Sequence, residues 1–202
     1  MTDLFPLFLK LKRRKCLVVG AGEIGQGKIA GLLEVRADVH VVAPAATKRV
    51  KEWDRDGIVR WSKRDFEDSD LDGCFLIVAA TSSSELHKEI FRLAQQRGVL
   101  CNVVDVPELC DFYYPAVVRR GSLQIAVSTG GESPALAQRL RKKLEKQFGP
   151  EYAEWVKYLG ESRRKLNASS ENAMEKKSKL HSMVSESSFR TFQKGRQKKA
   201  KR

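Results

Sequence analysis

An α/β fold is predicted for this chain: a doubly wound parallel sheet, then a small α+β region and C-terminal helices. Three observations predict it. Short apolar runs alternate with stretches of helical spacing from the N-terminus to about residue 112. A glycine turn, G-A-G-E-I-G at 20–25, separates the first such run from the first helical stretch. Beyond residue 112 the pattern changes to two alternating runs and then helices. Strands that are apolar throughout, each followed by a helix, belong to a parallel sheet covered on both faces.

The elements follow in order. Residues 15–20 (K-C-L-V-V-G) form a short buried strand, and 25–35 carry Ile29, Leu32 and Leu33 on one helical face. The next apolar run, 39–43, stops at Pro44; 47–55 is helical, with Val50 and Trp53 three apart, and 58–61 is a short strand. Residues 75–80 (F-L-I-V-A-A) are again continuously apolar, 84–97 form a helix closed by Gly98, and 100–104 complete a fifth strand. Residues 113–118 and 123–127 flank R-R-G-S and read as an antiparallel hairpin. Ser133 followed by Pro134 is a cap and an N1 proline, so a helix is expected over 133–147. A second is expected over 151–166, where Trp155, Val156 and Leu159 are spaced for packing. The expected domains are therefore 1–112, a hairpin-plus-helix region at 113–148, a helical segment at 149–166 and a basic tail, disordered or partly helical, at 167–202. A hairpin with two helices makes a small core, and such an appendage is expected to bury its apolar face against a second copy in a homodimer.

Composition narrows the function classes. No apolar run approaches the ~20 residues that span a bilayer, and the N-terminus lacks the features of a signal peptide. A cytoplasmic protein without membrane partners is expected. Cys16, Cys74, Cys101 and Cys110 have no C-x-x-C spacing, and Cys16, Cys74 and Cys101, at or beside apolar runs, read mainly as small buried hydrophobes. The histidines, His40, His87 and His181, show no ligand spacing, so no resident metal is expected. The net charge is +13; residues 167–202 hold ten Lys or Arg against three Glu, leaving +6 for the first 166 residues. A basic run alone is weak evidence for nucleic-acid binding, and the excess on the folded part suits an anionic small substrate.

The glycine turn matches G-x-G-x-x-G in the context that motif needs, after a strand and opening a helix. Gly20 permits the tight turn, Gly22 lets the backbone approach a pyrophosphate, and Gly25 allows close packing of helix on strand. This is the Rossmann fingerprint of a dinucleotide site. The second strand ends in H-V-V-A-P without an acid for a ribose hydroxyl, so Pro44 and Ala45 would contact the adenosine ribose by backbone, and NAD and NADP stay open. Thr81, ending the fourth strand, is either a helix cap or a hydroxyl lining the cofactor. Asp105 ends the fifth strand between apolar neighbours (N-V-V-D-V-P). A carboxylate there is expected to be desolvated, to titrate high, and to take a proton near neutral pH or ligate a divalent cation transiently, unless it merely caps a turn.

The chain resembles the precorrin-2 dehydrogenase family, which includes the N-terminal module of siroheme synthase and bifunctional dehydrogenase/ferrochelatases. L-F-P-L-F-L-K-L, C-L-V-V-G-A-G-E-I, A-A-T, C-N-V-V-D and I-A-V-S-T-G-G-E-S-P-A-L-A-Q-R-L-R carry the resemblance, in order, from about residue 4 to 145. The resemblance implies oxidation of precorrin-2 to sirohydrochlorin with NAD. In some members it implies insertion of ferrous iron, as substrate, to give sirohaem. It puts Asp105 in the role of general base or proton relay, Glu23, Ile24, Pro44 and Ala45 at the cofactor, and Ser128 near the tetrapyrrole. It also implies dimerisation through the segment after the Rossmann domain. Arg119, Arg120, Arg139 and Arg141 are candidates to pair with substrate carboxylates. Gly27-Lys28 departs from the basic pair common in the family, and the methyltransferase domain of trifunctional relatives has no counterpart in this sequence. Two other classes are carried as alternatives: a non-catalytic NAD-sensing dimer and a nucleic-acid binder acting through the tail.

Overall fold

The structure, a computed structural model, describes residues 4–200. It divides into two compact units, Met1–Tyr114 and Pro115–Arg202. The first three residues and the last two of the basic tail lie outside the described residues.

The first unit is a five-stranded parallel sheet in the order β3-β2-β1-β4-β5. Its strands are β1 (Lys15–Ala21), β2 (Asp38–Ala46), β3 (Arg60–Ser62), β4 (Leu76–Ala79) and β5 (Leu100–Val103), joined by α1 (Glu23–Glu34), α2 (Lys48–Arg55) and α3 (Ser84–Arg97). Alternate residues of each strand face opposite layers. Cys16, Val18, Val39, Val41, Leu76 and Val78 pack with Ile29 and Leu32 of α1 and Val50 of α2. Leu17, Val19, Val42, Ile77, Ala79, Cys101 and Val103 pack with Ile90, Leu93 and Ala94 of α3. Two dry layers on one sheet explain why β4 is apolar at every position and β1 is apolar from Cys16 to Val19. Cys16 and Cys101 are fully buried in these layers. Burial pushes both thiols up to about 12, so they act as packing groups.

The second unit opens with β6 (Ala116–Arg120) and β7 (Leu123–Val127), paired antiparallel across the two-residue loop Gly121-Ser122. The first strand of the hairpin starts later than the sequence pattern suggested, because Pro115 has no N–H to give a ladder. Gly121 has φ +57°, and a side chain there would meet Ala153 of the next helical layer. α4 (Pro134–Gln147) and α5 (Glu151–Asn167) follow. Ser133 caps α4, its Oγ accepting from the Leu136 N–H at 3.3 Å.

Of the two readings of the 167–202 tail, disordered or partly helical, the structure carries helix: α6 (Ala173–Met183) and α7 (Glu186–Ala200). The reason is aromatic. Phe189 packs on Tyr152 and Trp155 at centroid distances of 4.7 and 5.4 Å, and Phe192 on Trp155 and Tyr158 at 5.0 and 5.4 Å. Two rings in an otherwise polar stretch dock it onto α5 and offset its ordering entropy.

Candidate active site

The chain leaves β1 toward one edge of the sheet and β4 toward the other, so the switch point lies between them. In open α/β sheets ligands bind there, outside the carboxyl ends of the strands. Nine of the residues singled out in the sequence belong to this first unit and cluster at those ends.

Gly20 has φ +100°, and a Cβ on it would press into the Ala80 carbonyl. A Cβ on Gly25 would fall on the Gly20 carbonyl oxygen. These two contacts seat the first turn of α1 against the ends of β1 and β4. Gly22 differs, because a Cβ there would meet nothing within 4 Å. Gly22 is the N-cap of α1 and supplies no side-chain cap bond, while Glu23 and Ile24 are exposed beside it. The arrangement is an open concavity at a helix N-terminus, with first-turn N–H groups available to an anion. A dinucleotide pyrophosphate fits it.

At the end of β2, buried Ala43 gives way to exposed Pro44 and Ala45. The loop is fixed from behind. Trp61 Nε1 donates to the Ala43 carbonyl at 2.9 Å, the Thr47 N–H to the Ala21 carbonyl at 3.0 Å, and Thr47 Oγ1 to Gln26 Oε1 at 2.7 Å. Arg49 is engaged on its own helix, 3.3 Å from Glu52 and over the Trp53 ring at 5.1 Å. At the end of β4 the helix cap is Ser83, whose Oγ accepts from the Leu86 N–H; Thr81 precedes it and accepts from the Ser83 N–H, both at 3.3 Å. The cap reading for Thr81 therefore passes to Ser83, and Thr81 stays half-buried at the strand end.

Asp105 stands at the tip of a turn closed by the Val106 N–H on the Val103 carbonyl at 3.3 Å. It has φ +60°, in the left-handed region, where aspartate and asparagine are the tolerated non-glycine residues. Its neighbours pin the turn. Cys110 Sγ donates to the carbonyls of Val103 and Val106 at 3.1 and 3.3 Å, and Asn102 Nδ2 to the Phe112 carbonyl at 2.8 Å. The expectation of a desolvated carboxylate is corrected: Asp105 is exposed, because the turn lifts it off the apolar strand end. What distinguishes it is a strained backbone held by its surroundings, a feature that concentrates at functional sites.

Sequence reasoning noted Lys28 only within Gly27-Lys28 and missed its packing on Tyr114. Its side chain leaves α1 half-buried, with Nζ 3.8 Å from the centroid of the Tyr114 ring. Burial lowers its pKa, and the nearby charges of Asp105 and Cys110 push it back up. No local pattern marks it, because its partners lie far along the chain.

The remaining candidates lie in the second unit. Ser128 is exposed, its Oγ accepting from the Gly130 N–H at 3.1 Å. Thr129 Oγ1 accepts from the Ser133 N–H at 3.0 Å, which shapes the corner leading into α4. Arg119 is exposed on the hairpin. Arg120 is corrected from substrate ligand to structural brace. Its guanidinium donates to the carbonyls of Phe148, Arg119 and Glu145 at 2.9, 2.9 and 3.1 Å, two of them at the C-terminal end of α4. Arg141 is likewise engaged, by Gln138 at 3.0 Å and Glu145 at 2.6 Å. Among the described residues no group of three or more His, Cys, Asp or Glu could hold a metal ion, and no helix is long and apolar enough to cross a membrane.

Comparison with known proteins matches this geometry. A family profile described as "Putative NAD(P)-binding" covers residues 7–116, and one described as "Sirohaem biosynthesis protein central" covers 120–147. The siroheme synthase of Nitrosococcus oceani is 40% identical over 140 residues, 69% of this chain and 30% of that protein. Siroheme synthase 2 of Cronobacter sakazakii is 37% identical over 164 residues, 81% of this chain and 36% of that protein. The chain thus spans about a third of the length of these curated relatives. The solved structure of SirC, precorrin-2 dehydrogenase, superposes with a TM-score of 0.79 at 28% identity, covering 96% of this chain and 100% of that one.

Proposed function

The chain belongs to the NAD(P)-binding family of the precorrin-2 dehydrogenase and siroheme synthase type, and from that premise we propose that it oxidises precorrin-2 to sirohydrochlorin with NAD. The observation that carries this reading is the pairing of two features in one unit: an open glycine cradle at the α1 N-terminus and a single carboxylate, Asp105, on a pinned turn at the end of β5. The likeness to SirC over its whole length supports it.

When bound, NAD supplies the hydride acceptor. The protein has two tasks. The Gly22 cradle and the first turn of α1 hold the pyrophosphate, and Pro44 and Ala45 border the adenosine ribose. Asp105 takes the proton that leaves the macrocycle as its hydride departs, so hydride and proton together balance the oxidation. NAD suits the β2 end better than NADP, because Arg49 is already paired with Glu52 and stacked on Trp53. The basic balance of the chain favours encounter with a polycarboxylate substrate.

Anaerobic incubation with precorrin-2, NAD and ferrous iron tests the proposal. The expected result is NADH with the absorbance of sirohydrochlorin. A sirohaem spectrum adds iron insertion, with iron as a second substrate; a spectrum that stops at sirohydrochlorin limits the protein to the dehydrogenase step. NAD binding without any tetrapyrrole oxidation would overturn the proposal in favour of a sensing protein.

The homodimer is part of the same proposal. Leu136 and Leu140 lie one turn apart on α4 and remain 44% and 38% exposed, an apolar stripe suited to a second copy. Sedimentation is expected to give a dimer for the parent and a monomer for the Leu136→Glu, Leu140→Glu double variant. A monomeric parent removes the dimer from the proposal.

A further inference from the structure

We propose that the N-terminal arm, residues 4–9, docks on a second copy of this chain and forms the larger part of the dimer interface. The proposal rests on the reading of the protein as a homodimer. It adds a segment ahead of β1 to a dimer so far ascribed to residues after the first unit.

The arm reads L-F-P-L-F-L and belongs to no helix or strand. Phe5 is 81% exposed, Leu7 56% and Phe8 66%, and Leu4 and Leu9 are exposed beside them. Single apolar side chains on a surface are ordinary, but five within six consecutive residues form a patch. Among the described residues the arm takes part in no hydrogen bond, whereas the chain is fixed directly after it. Leu11 is buried in the layer that packs on α1, and its carbonyl accepts from the Arg14 N–H at 2.9 Å. The Arg13 N–H donates to the Arg36 carbonyl at 2.9 Å. Pro6 fixes its own φ and keeps Phe5 extended. The arm is an apolar strip anchored at one end, with side chains and backbone both open.

Area decides what covers it. Leu136 and Leu140, the stripe on α4, are 44% and 38% exposed and offer on the order of 100 Å² per copy. A stable dimer takes about 800 Å² from each partner, so the stripe alone falls far short. The two rings of the arm leave roughly 300 Å² open, and its three leucines raise this to on the order of 400 Å². In a two-fold dimer each arm also covers an equal area on the other copy, so two arms remove roughly 1,600 Å² in all. That is the size of a standard interface. Lys10 and Lys12 are exposed where the arm ends, in keeping with the polar rim that surrounds an apolar interface core.

Sedimentation equilibrium of the full chain tests the arm. The parent is expected to be a dimer, and the Phe5→Ser, Phe8→Ser double variant to self-associate at least about 100-fold more weakly. Both rings are largely open in the protomer, so thermal unfolding measured where both proteins are monomeric is expected to coincide. The covering surface is identified with Phe8→Cys carrying a benzophenone maleimide. Irradiation is expected to join two chains; products confined to one chain overturn the proposal. A double variant that self-associates like the parent also overturns it, while Leu136→Glu with Leu140→Glu still decides the α4 dimer. A monomeric parent rejects dimer and arm together. If that monomer sediments with phosphatidylglycerol vesicles through the same two rings, the arm belongs to a lipid surface instead.

Discussion

Asp105→Asn is expected to lower kcat for precorrin-2 oxidation by about 100-fold or more, the range associated with loss of a positioned acid or base. Asparagine is the informative substitution because of the backbone. At φ +60° aspartate and asparagine are both tolerated, so the replacement removes the proton acceptor and keeps the turn. Alanine lacks a side chain that can bond locally, and in the left-handed region it is expected to cost about 1–2 kcal/mol of stability as well. The Val106–Val103 bond and the two Cys110 Sγ contacts would then have to hold a strained turn. Comparing the two variants by equilibrium unfolding and by NADH formation separates chemistry from strain. Asn inactive with parental stability, and Ala inactive and less stable, is the expected outcome. Full turnover in Asp105→Asn would remove the carboxylate from the mechanism.

Residues that act through local pattern were legible in the sequence. The Gly20–Gly22–Gly25 spacing, the apolar strands and the Ser133-Pro134 start of α4 each follow from short-range rules, and the structure carries them as read. Asp105 was legible as a carboxylate ending a strand, but its exposure was not, because the sign of φ at one residue decides which way a turn throws its side chain. The packing of Lys28 was not legible, since a lysine on a helix reads as surface charge until the Tyr114 ring is brought beneath it. Arg120 failed in the opposite direction. It looked available for a polyanion, yet the open carbonyls at the end of α4 take its donors. The docking of the last two helices escaped for a related reason: mean composition counts Phe189 and Phe192 as two residues, whereas packing counts them as a docking face for Tyr152, Trp155 and Tyr158.

The three glycines of the fingerprint should respond to alanine in two opposite ways. Gly25→Ala drives a methyl group into the Gly20 carbonyl, and Gly20→Ala drives one into the Ala80 carbonyl at a φ of +100°. Neither neighbour is a flexible side-chain tip. Backbone must move, and each variant is expected to lose about 3 kcal/mol of stability in the first unit. Any loss of NAD affinity in these two is then secondary to a displaced α1. Gly22→Ala meets nothing within 4 Å, so its stability is expected to stay within about 0.5 kcal/mol of the parent. Its methyl would nonetheless occupy the space through which a pyrophosphate approaches the α1 N-terminus. NAD binding by calorimetry is expected to weaken at least tenfold, or about 1.4 kcal/mol. The decisive comparison is therefore a stable protein that binds NAD poorly beside two unstable ones. Parental NAD affinity in Gly22→Ala would mean that the cofactor does not pass over this residue, and the cradle would have to be sought elsewhere along the carboxyl ends of the sheet.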